Sequence, residues 1–155
     1  MSDYLIRNID FINIEEAFEL VKNVFMEFDA PDYSKEGIDE VMDEMLENKE
    51  FKNLFKTGEQ IMIGAIKDNK IIWVLAIGAN NHISLLFVDK NNHKKGIAKA
   101  LINEIVVRLK YKNVDKITLN STPYALGFYQ KMGFISTGPE AIKHRVKYTP
   151  MEFIL

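Results

Sequence analysis

The sequence predicts an α/β (α+β) fold, in which a mixed and mostly antiparallel sheet of six to seven strands is flanked by about four helices. Three observations carry this expectation. Residues 61–66 and 71–77 are β-rich runs separated by Lys67-Asp68-Asn69-Lys70, a tight polar turn that reads as the tip of a hairpin. Residues 83–88 form another short apolar run, bounded by turn residues, of the kind that makes a buried strand. After a polar turn, Ile97, Leu101, Ile102, Ile105 and Leu109 recur at the spacing of one helical face, and a β-rich run follows at 116–119. Strand, helix and strand in that order form a crossover, which favours parallel pairing of the two strands it joins.

The remaining elements follow in chain order. Residues 4–9 alternate loosely and suit a first strand. Asn13 with Glu16 three positions on resembles a capping box, and Ala17, Phe18, Val21, Val24, Phe25 and Phe28 then share a helical face. A break at 29–33 contains Pro31. Ser34 can cap a second helix, striped by Ile38, Val41, Met42, Met45 and Leu46, and Phe51, Leu54 and Phe55 suit a short packed connection. Asn80-Asn81 supplies a second turn before the strand at 83–88. Thr122-Pro123 is expected to open a helix with proline at its first position, and Gly133 to end it. Residues 134–137 and 146–154 read as final strands, the last with Pro150 at an edge or bulge. No repeat, linker or low-complexity segment interrupts residues 1–155, so a single domain is expected.

Composition narrows the partners. At 155 residues and 47% hydrophobic content, the chain can bury a substantial core. A formal net charge of −2 gives no general reason to bind nucleic acid or an acidic membrane, so the basic cluster His93, Lys94, Lys95 and Lys99 is read locally. With no cysteine, disulfides, thiolate metal sites and a cysteine acyl-enzyme are excluded. His82, His93 and His144 lack paired ligand spacing, so no metal is expected. The opening MSDYLIRNID has no basic flank leading into an apolar core, and the longest apolar run, around 71–79, is too short to cross a bilayer. A cytoplasmic protein with no membrane partner is the expectation.

The turn between 83–88 and the long helix is the main candidate for a site. The first backbone N–H groups of such a helix have no internal partner and stand at its positive dipole end, where an anion is stabilised. Gly96 and Ala98 keep the approach free of bulk, and Lys94, Lys95 and Lys99 add positive charge. A plain tight start to a helix, with lysines on a solvated face, is the alternative. A Walker loop is absent, because Lys95-Gly96 runs in the wrong order and lacks the preceding glycine.

Two motifs bring a family into view. Val88-Asp89, a polar turn, then His93-Lys94-Lys95-Gly96-Ile97-Ala98 resembles the acetyl-CoA pyrophosphate loop of the GNAT N-acetyltransferases, whose pattern is Arg or Gln, two residues, Gly, one residue, Gly or Ala. The segment from Asn120 to Phe134 resembles that superfamily's second motif, a strand end and a helix closing in Tyr-x-x-x-Gly-Phe. The likeness spans residues 60–134 and weakens over the N-terminal helices. His93 departs from the pattern, being shorter than Arg or Gln and mostly neutral at pH 7.

The resemblance implies a GNAT fold with a splayed parallel strand pair, and acetyl transfer from acetyl-CoA to a primary amine, small molecule or peptide, by direct attack in a ternary complex. It implies that backbone N–H groups of Lys94, Lys95, Gly96, Ile97, Ala98 and Lys99, with His93, hold the pyrophosphate. Phe87 and Val88 would offer main-chain partners to the pantetheine arm, the amide near Val88 would stabilise the oxyanion, and Asn120 would bond the arm's amides. Tyr129 would protonate or hydrogen-bond the departing thiolate. A phenol near pKa ~10 and a thiol near ~8.5 are mismatched by roughly 2 kcal/mol for full transfer, so a hydrogen bond is at least as good an expectation as donation. Tyr129 also fits an apolar face with Ala125 and Met132 as a core aromatic.

The attacking amine must first lose a proton, and His82 is the candidate base, with Ser84 on the same strand face. The contrary reading leaves His82 facing water at the end of a turn, with Glu27 or a water chain as base. Tyr124 either lines the acceptor pocket or is simply exposed. Residues 13–47 and 138–148 should shape the acceptor pocket, where Glu27, Asp29 and Asp32 hint at a cationic acceptor. A non-catalytic acyl-CoA-binding module of the same fold is the alternative function, and a generic nucleotide-binding protein a third, against which the antiparallel run speaks. A homodimer is expected from the family and from the apolar last strand, whose edge would otherwise be open.

Overall fold

The structure, a computed structural model, describes residues 4–88, 96–143 and 146–155 of the chain. One half of the sheet consists of β1 (Leu5–Asn8), β2 (Gln60–Lys67), β3 (Lys70–Gly78) and β4 (Ile83–Val88), antiparallel throughout and in that spatial order. The β2–β3 hairpin closes with Lys67 opposite Lys70, and Asp68 and Asn69 between them have φ of 51° and 62°. Positive φ at both central residues is the twist-matched hairpin turn, and Asp and Asn tolerate it well.

The other half contains β5 (Lys116–Ser121), β6 (Ile135–Ser136), β7 (Ala141–Lys143) and β8 (Val146–Ile154). β8 lies between β5 on one side and β6 and β7 on the other. Among the described residues it has strands on both sides, so of the two grounds for the homodimer expectation, the family and an open strand edge, the second is not met. Pro150 sits between the stretches of β8 that pair with β7 and with β6. Among the described residues, one parallel bridge, His82 to Thr118, joins the two halves, supported by the Thr118 N–H donating to the Asn81 carbonyl at 3.0 Å. Beyond it β4 and β5 are unpaired, and this is the expected splay.

Helices cover both faces of the first half-sheet, so its strands read as near-continuous apolar runs rather than alternating ones. On one face α4 (Ile97–Lys110) buries Leu101, Ile102 and Ile105 against Ile63, Leu75 and Leu119. On the other, α1 (Ile14–Val24), α2 (Lys35–Val41) and α3 (Lys49–Thr57) pack Phe18, Val21, Val41 and Phe51 against Met62, Val74, Ala76 and Leu85. The strand period of two makes this division: Trp73, Leu75 and Ile77 belong to the α4 core, Val74 and Ala76 to the α1 core.

Several local expectations change. Asn13 makes no side-chain cap, and α1 runs on through a π turn (Phe25–Asp29) and a 3-10 turn (Ala30–Asp32) before the chain breaks. Ser34 does cap α2, its Oγ accepting the Gly37 N–H at 3.0 Å, and α2 also continues into a π turn (Met42–Leu46). Residues 49–57 are a helix rather than a connection. Asn48 Oδ1 accepts the Phe51 N–H at 2.7 Å, and Phe51 and Phe55 stand edge-on to Phe18 at 6.0 and 5.8 Å. Thr122-Pro123 forms a turn, closed by the Ala125 N–H on the Thr122 carbonyl at 3.1 Å, so α5 (Leu126–Met132) starts later than its proline suggests. Gly133, at φ 106°, ends it as expected.

Candidate active site

Where β4 and β5 part, the sheet leaves a cavity of about 840 Å³ that runs past both faces of β4. One edge of β4 is hydrogen-bonded to β3, and from Ser84 onward the other meets no strand among the described residues. That edge is an open row of backbone donors and acceptors.

On the α4 face, the helix begins at Gly96 in the left-handed conformation, φ 71°, with open space where a Cβ would stand. A side chain there would be strained by φ rather than by crowding. Among the described residues the first closed helical bond runs from the Ala100 N–H to the Gly96 carbonyl at 3.1 Å, and the N–H groups of Ile97, Ala98 and Lys99 before it meet no described acceptor. The side chains of Ile97 and Ala98 belong to the core, which leaves their backbone as their contribution to a site. Lys99 is exposed and lines the cavity, as does Asn120 on β5. Val88 is the last rung of β4, opposite Trp73. The Phe87 side chain packs on the α1 face, so toward the α4 side it has only its main chain to offer. His93, Lys94, Lys95 and His144 lie outside the described residues. Trp73 also lines the cavity, and its buried indole N–H meets no acceptor among the described residues.

Tyr129, on α5, stands between the two faces. Its ring is edge-on to Phe128 and Phe134 at 5.3 and 5.6 Å, which fixes its orientation, and it lines the cavity. It is both the core aromatic and the cavity residue that the sequence offered as alternatives. Burial, and then the Asp29 charge, push its phenol further above its ordinary value near 10. The hydroxyl therefore keeps its proton and is able to donate a hydrogen bond.

His82 sits at the point where the strands part. Its Nδ1 lies 2.8 Å from Thr118 Oγ1, and its backbone N–H donates to Asn80 Oδ1 at 3.3 Å. It is half-buried and lines the cavity, unlike a residue ending a turn in water. Burial, followed by the nearby Lys143, lowers its pKa and holds the imidazole neutral, the form able to accept a proton. Thr118 gave no sign of this role in the sequence, because the pair is 36 positions apart. Ser84 is engaged elsewhere, donating to Gln60 Oε1 at 2.9 Å.

The α1 face of the cavity is bounded by Phe25, Phe28, Tyr33, Met45 and Phe51. Asp29 is the one carboxylate among the described residues that line it. Burial, and then Asp32, raise the Asp29 carboxyl from 3.8 to about 6. Asp32 itself is exposed on the surface, as is Glu27, while Tyr124 is largely exposed and also lines the cavity. No group of three or more His, Cys, Asp or Glu among the described residues is placed to hold a metal ion, and no helix of the described residues is long and apolar enough to cross a membrane.

Comparison with known proteins supplies a frame for this geometry. Residues 29–155 match the family profile described as Acetyltransferase (GNAT) domain. A 49-residue segment, 32% of this chain and 26% of the other, is 37% identical to an uncharacterized N-acetyltransferase, ycf52, of Gracilaria tenuistipitata var. liui. A 59-residue segment, 38% of this chain and 29% of the other, is 37% identical to a chloroplastic GCN5-related N-acetyltransferase of Arabidopsis thaliana. The matched segments thus span between a quarter and a third of those relatives' own length. Among solved structures, PaiA N-acetyltransferase of Thermoplasma acidophilum in complex with coenzyme A superposes with a TM-score of 0.82 at 22% identity, over 100% of both chains. A GCN5-related N-acetyltransferase of Rhodopseudomonas palustris superposes at 0.77 and 16% identity, over 100% of this chain and 98% of the other. A spermidine N-acetyltransferase chimera built on Vibrio cholerae SpeG gives 0.67 at 17%, over 99% and 96%.

Proposed function

The chain belongs to the GNAT acetyltransferase family, and we propose that it transfers an acetyl group from acetyl-CoA to a primary amine within a ternary complex. The observation that carries this reading is the opening of the sheet between β4 and β5 beside the first-turn amides of α4, which meet no acceptor among the described residues. An extended arm ending in a diphosphate needs that pair of features, a strand edge along which to lie and a helix N-terminus at its anionic end. The open space at Gly96 admits it without a clash.

In this reading the amides of Ile97, Ala98 and Lys99 receive the diphosphate, with Lys99 adding charge. The free edge of β4 and Asn120 hold the arm. The amine nitrogen forms a bond to the thioester carbonyl carbon as the carbon–sulfur bond breaks. Of the two protons the ammonium gives up, one ends on the CoA thiol and one in solvent. His82 takes the first from the ammonium. For its Nε2 to accept, Nδ1 must carry the ring proton and donate to Thr118 Oγ1, so the threonine selects the useful tautomer. Tyr129 donates a hydrogen bond to the departing sulfur without giving up its proton, as its raised pKa requires. Most of the rate then comes from holding two reactants in register at the seam and from the β4 amide beside the developing oxyanion.

The test is direct. The chain has no cysteine, so a thiol reagent added to enzyme, acetyl-CoA and a panel of primary amines reads only released CoA. Amine-dependent release is expected. Saturable CoA binding with no release from any amine would overturn the catalytic reading, and an absence of CoA binding would overturn the site.

A further inference from the structure

The α1 face of the cavity restricts the amine that can bind there. Its walls are apolar and largely aromatic: Phe25, Phe28, Tyr33, Met45, Phe51 and Leu85. The π turn at the end of α1 carries Phe25, Phe28 and Asp29 together to the cavity, and Tyr33 stands edge-on to Phe25 at 5.2 Å. Asp29 is the single carboxylate on the lining, and no hydrogen bond or ion pair engages it among the described residues. The other charged lining residues are the cations Lys99, Lys143 and Lys147. The Asp29 charge acts on the phenols of both Tyr33 and Tyr129, which sets it within electrostatic reach of the acceptor wall and of the residue offered to the sulfur.

A buried charge needs a partner, and burying more charges than there are partners is costly. One half-buried carboxylate against apolar walls is matched by one ammonium on an apolar body. A polyamine would set its remaining ammonium groups near Lys99, Lys143 and Lys147 with no second carboxylate among the described lining residues, and an amino sugar would leave most of its hydroxyls against apolar walls. Resting on the acetyltransferase reading above, we infer that the acceptor is a primary monoamine carried on an apolar, aromatic-sized body. Its nitrogen pairs with Asp29, and its body lies among Phe25, Phe28, Tyr33 and Phe51.

The test uses 2-phenylethylamine, spermidine and glucosamine as acceptors, with CoA release as one readout and the thermal midpoint of the CoA-saturated protein as the other. The phenyl amine should exceed spermidine and glucosamine in kcat/KM by at least about tenfold, and should raise the midpoint further once CoA is bound. Asp29→Asn should lower kcat/KM for the phenyl amine on the order of 100-fold and remove its added midpoint shift, while the shift with CoA alone persists and shows the variant folded. A preference for spermidine or glucosamine, an unaltered Asp29→Asn enzyme, or no midpoint shift from the phenyl amine in CoA-saturated protein each overturns the inference. Failure of CoA itself to shift the midpoint would instead overturn the acetyltransferase reading beneath it.

Discussion

The two faces of β4 are built differently. On the α4 face the features that suit a cofactor are backbone features: a left-handed glycine, three first-turn amides without an acceptor among the described residues, and a strand edge. On the α1 face the features that suit an acceptor are side chains, a carboxylate among aromatic rings from the π turn after α1, from Tyr33 ahead of α2 and from α3. Backbone donors fit any ligand with the same extended anionic shape, and substitution disturbs them little. Side-chain walls can be exchanged one residue at a time. The first arrangement suits a part shared across a family, the second a part that sets an individual preference.

This contrast can be broken by substitutions that should act on one face alone. The largest effect is expected from Phe18→Ala. Phe18 is fully buried and is the ring against which Phe51 and Phe55 stand, so its loss should cost about 3–5 kcal/mol of stability, read from the urea midpoint. In the protein that remains folded, amine kcat/KM should fall while CoA affinity holds, and an equal loss in both would break the distinction.

Tyr129→Phe keeps the ring packing and removes only the hydroxyl. It should lower kcat about 100-fold, roughly 2.7 kcal/mol, with little change in the KM for acetyl-CoA. A change confined to KM would make Tyr129 a binding residue rather than a partner of the sulfur.

Asp29→Asn should stabilise the protein near neutral pH, by on the order of 2 kcal/mol. The folded carboxyl titrates at about 6 against 3.8 for its ordinary value, so the folded state holds this proton more tightly than the unfolded one. Stability is then highest below about pH 4 and falls as pH rises through about 6, where Asp29 ionises beside Asp32, Tyr33 and Tyr129. The variant should lack this decline, and urea titrations at pH 4 and pH 7 measure it. Equal stability of the two proteins at pH 7 would mean that Asp29 is not held against its solvation.

The smallest effect is expected at Gly96. Gly96→Ala, strained by a φ of 71°, should cost about 1 kcal/mol and raise the KM for acetyl-CoA several-fold while leaving the amine KM unchanged.

The same contrast explains what the sequence revealed. The α4 start was legible because Gly96, Ala98 and the periodic Leu101 and Ile105 act within a few positions of one another, and the β2–β3 turn because Asp68-Asn69 already prefers its dihedrals. The acceptor wall was legible only as a hint. Two π turns change the phase of the helices at Phe25 and Met42, so a regular 3.6-residue count misplaces the residues after them. α3 is expected only as a short packed connection, although Asn48 and the spacing of 51, 54 and 55 are helical signals. The His82–Thr118 contact joins two elements across the α4 crossover, and no local pattern encodes it. Trp73 read as a strand residue, and only the sheet register sets it opposite Val88, at the cavity.

That tryptophan offers the most direct measurement, since the chain has no other. Its emission can be followed while acetyl-CoA, CoA, ATP and 2-phenylethylamine are added separately. A cofactor seat on the α4 face and an acceptor seat on the other predict a saturable change with both CoA species, none with ATP, and none with the amine alone. An unresponsive Trp73 at millimolar CoA, or an equal response to ATP, would contradict the account.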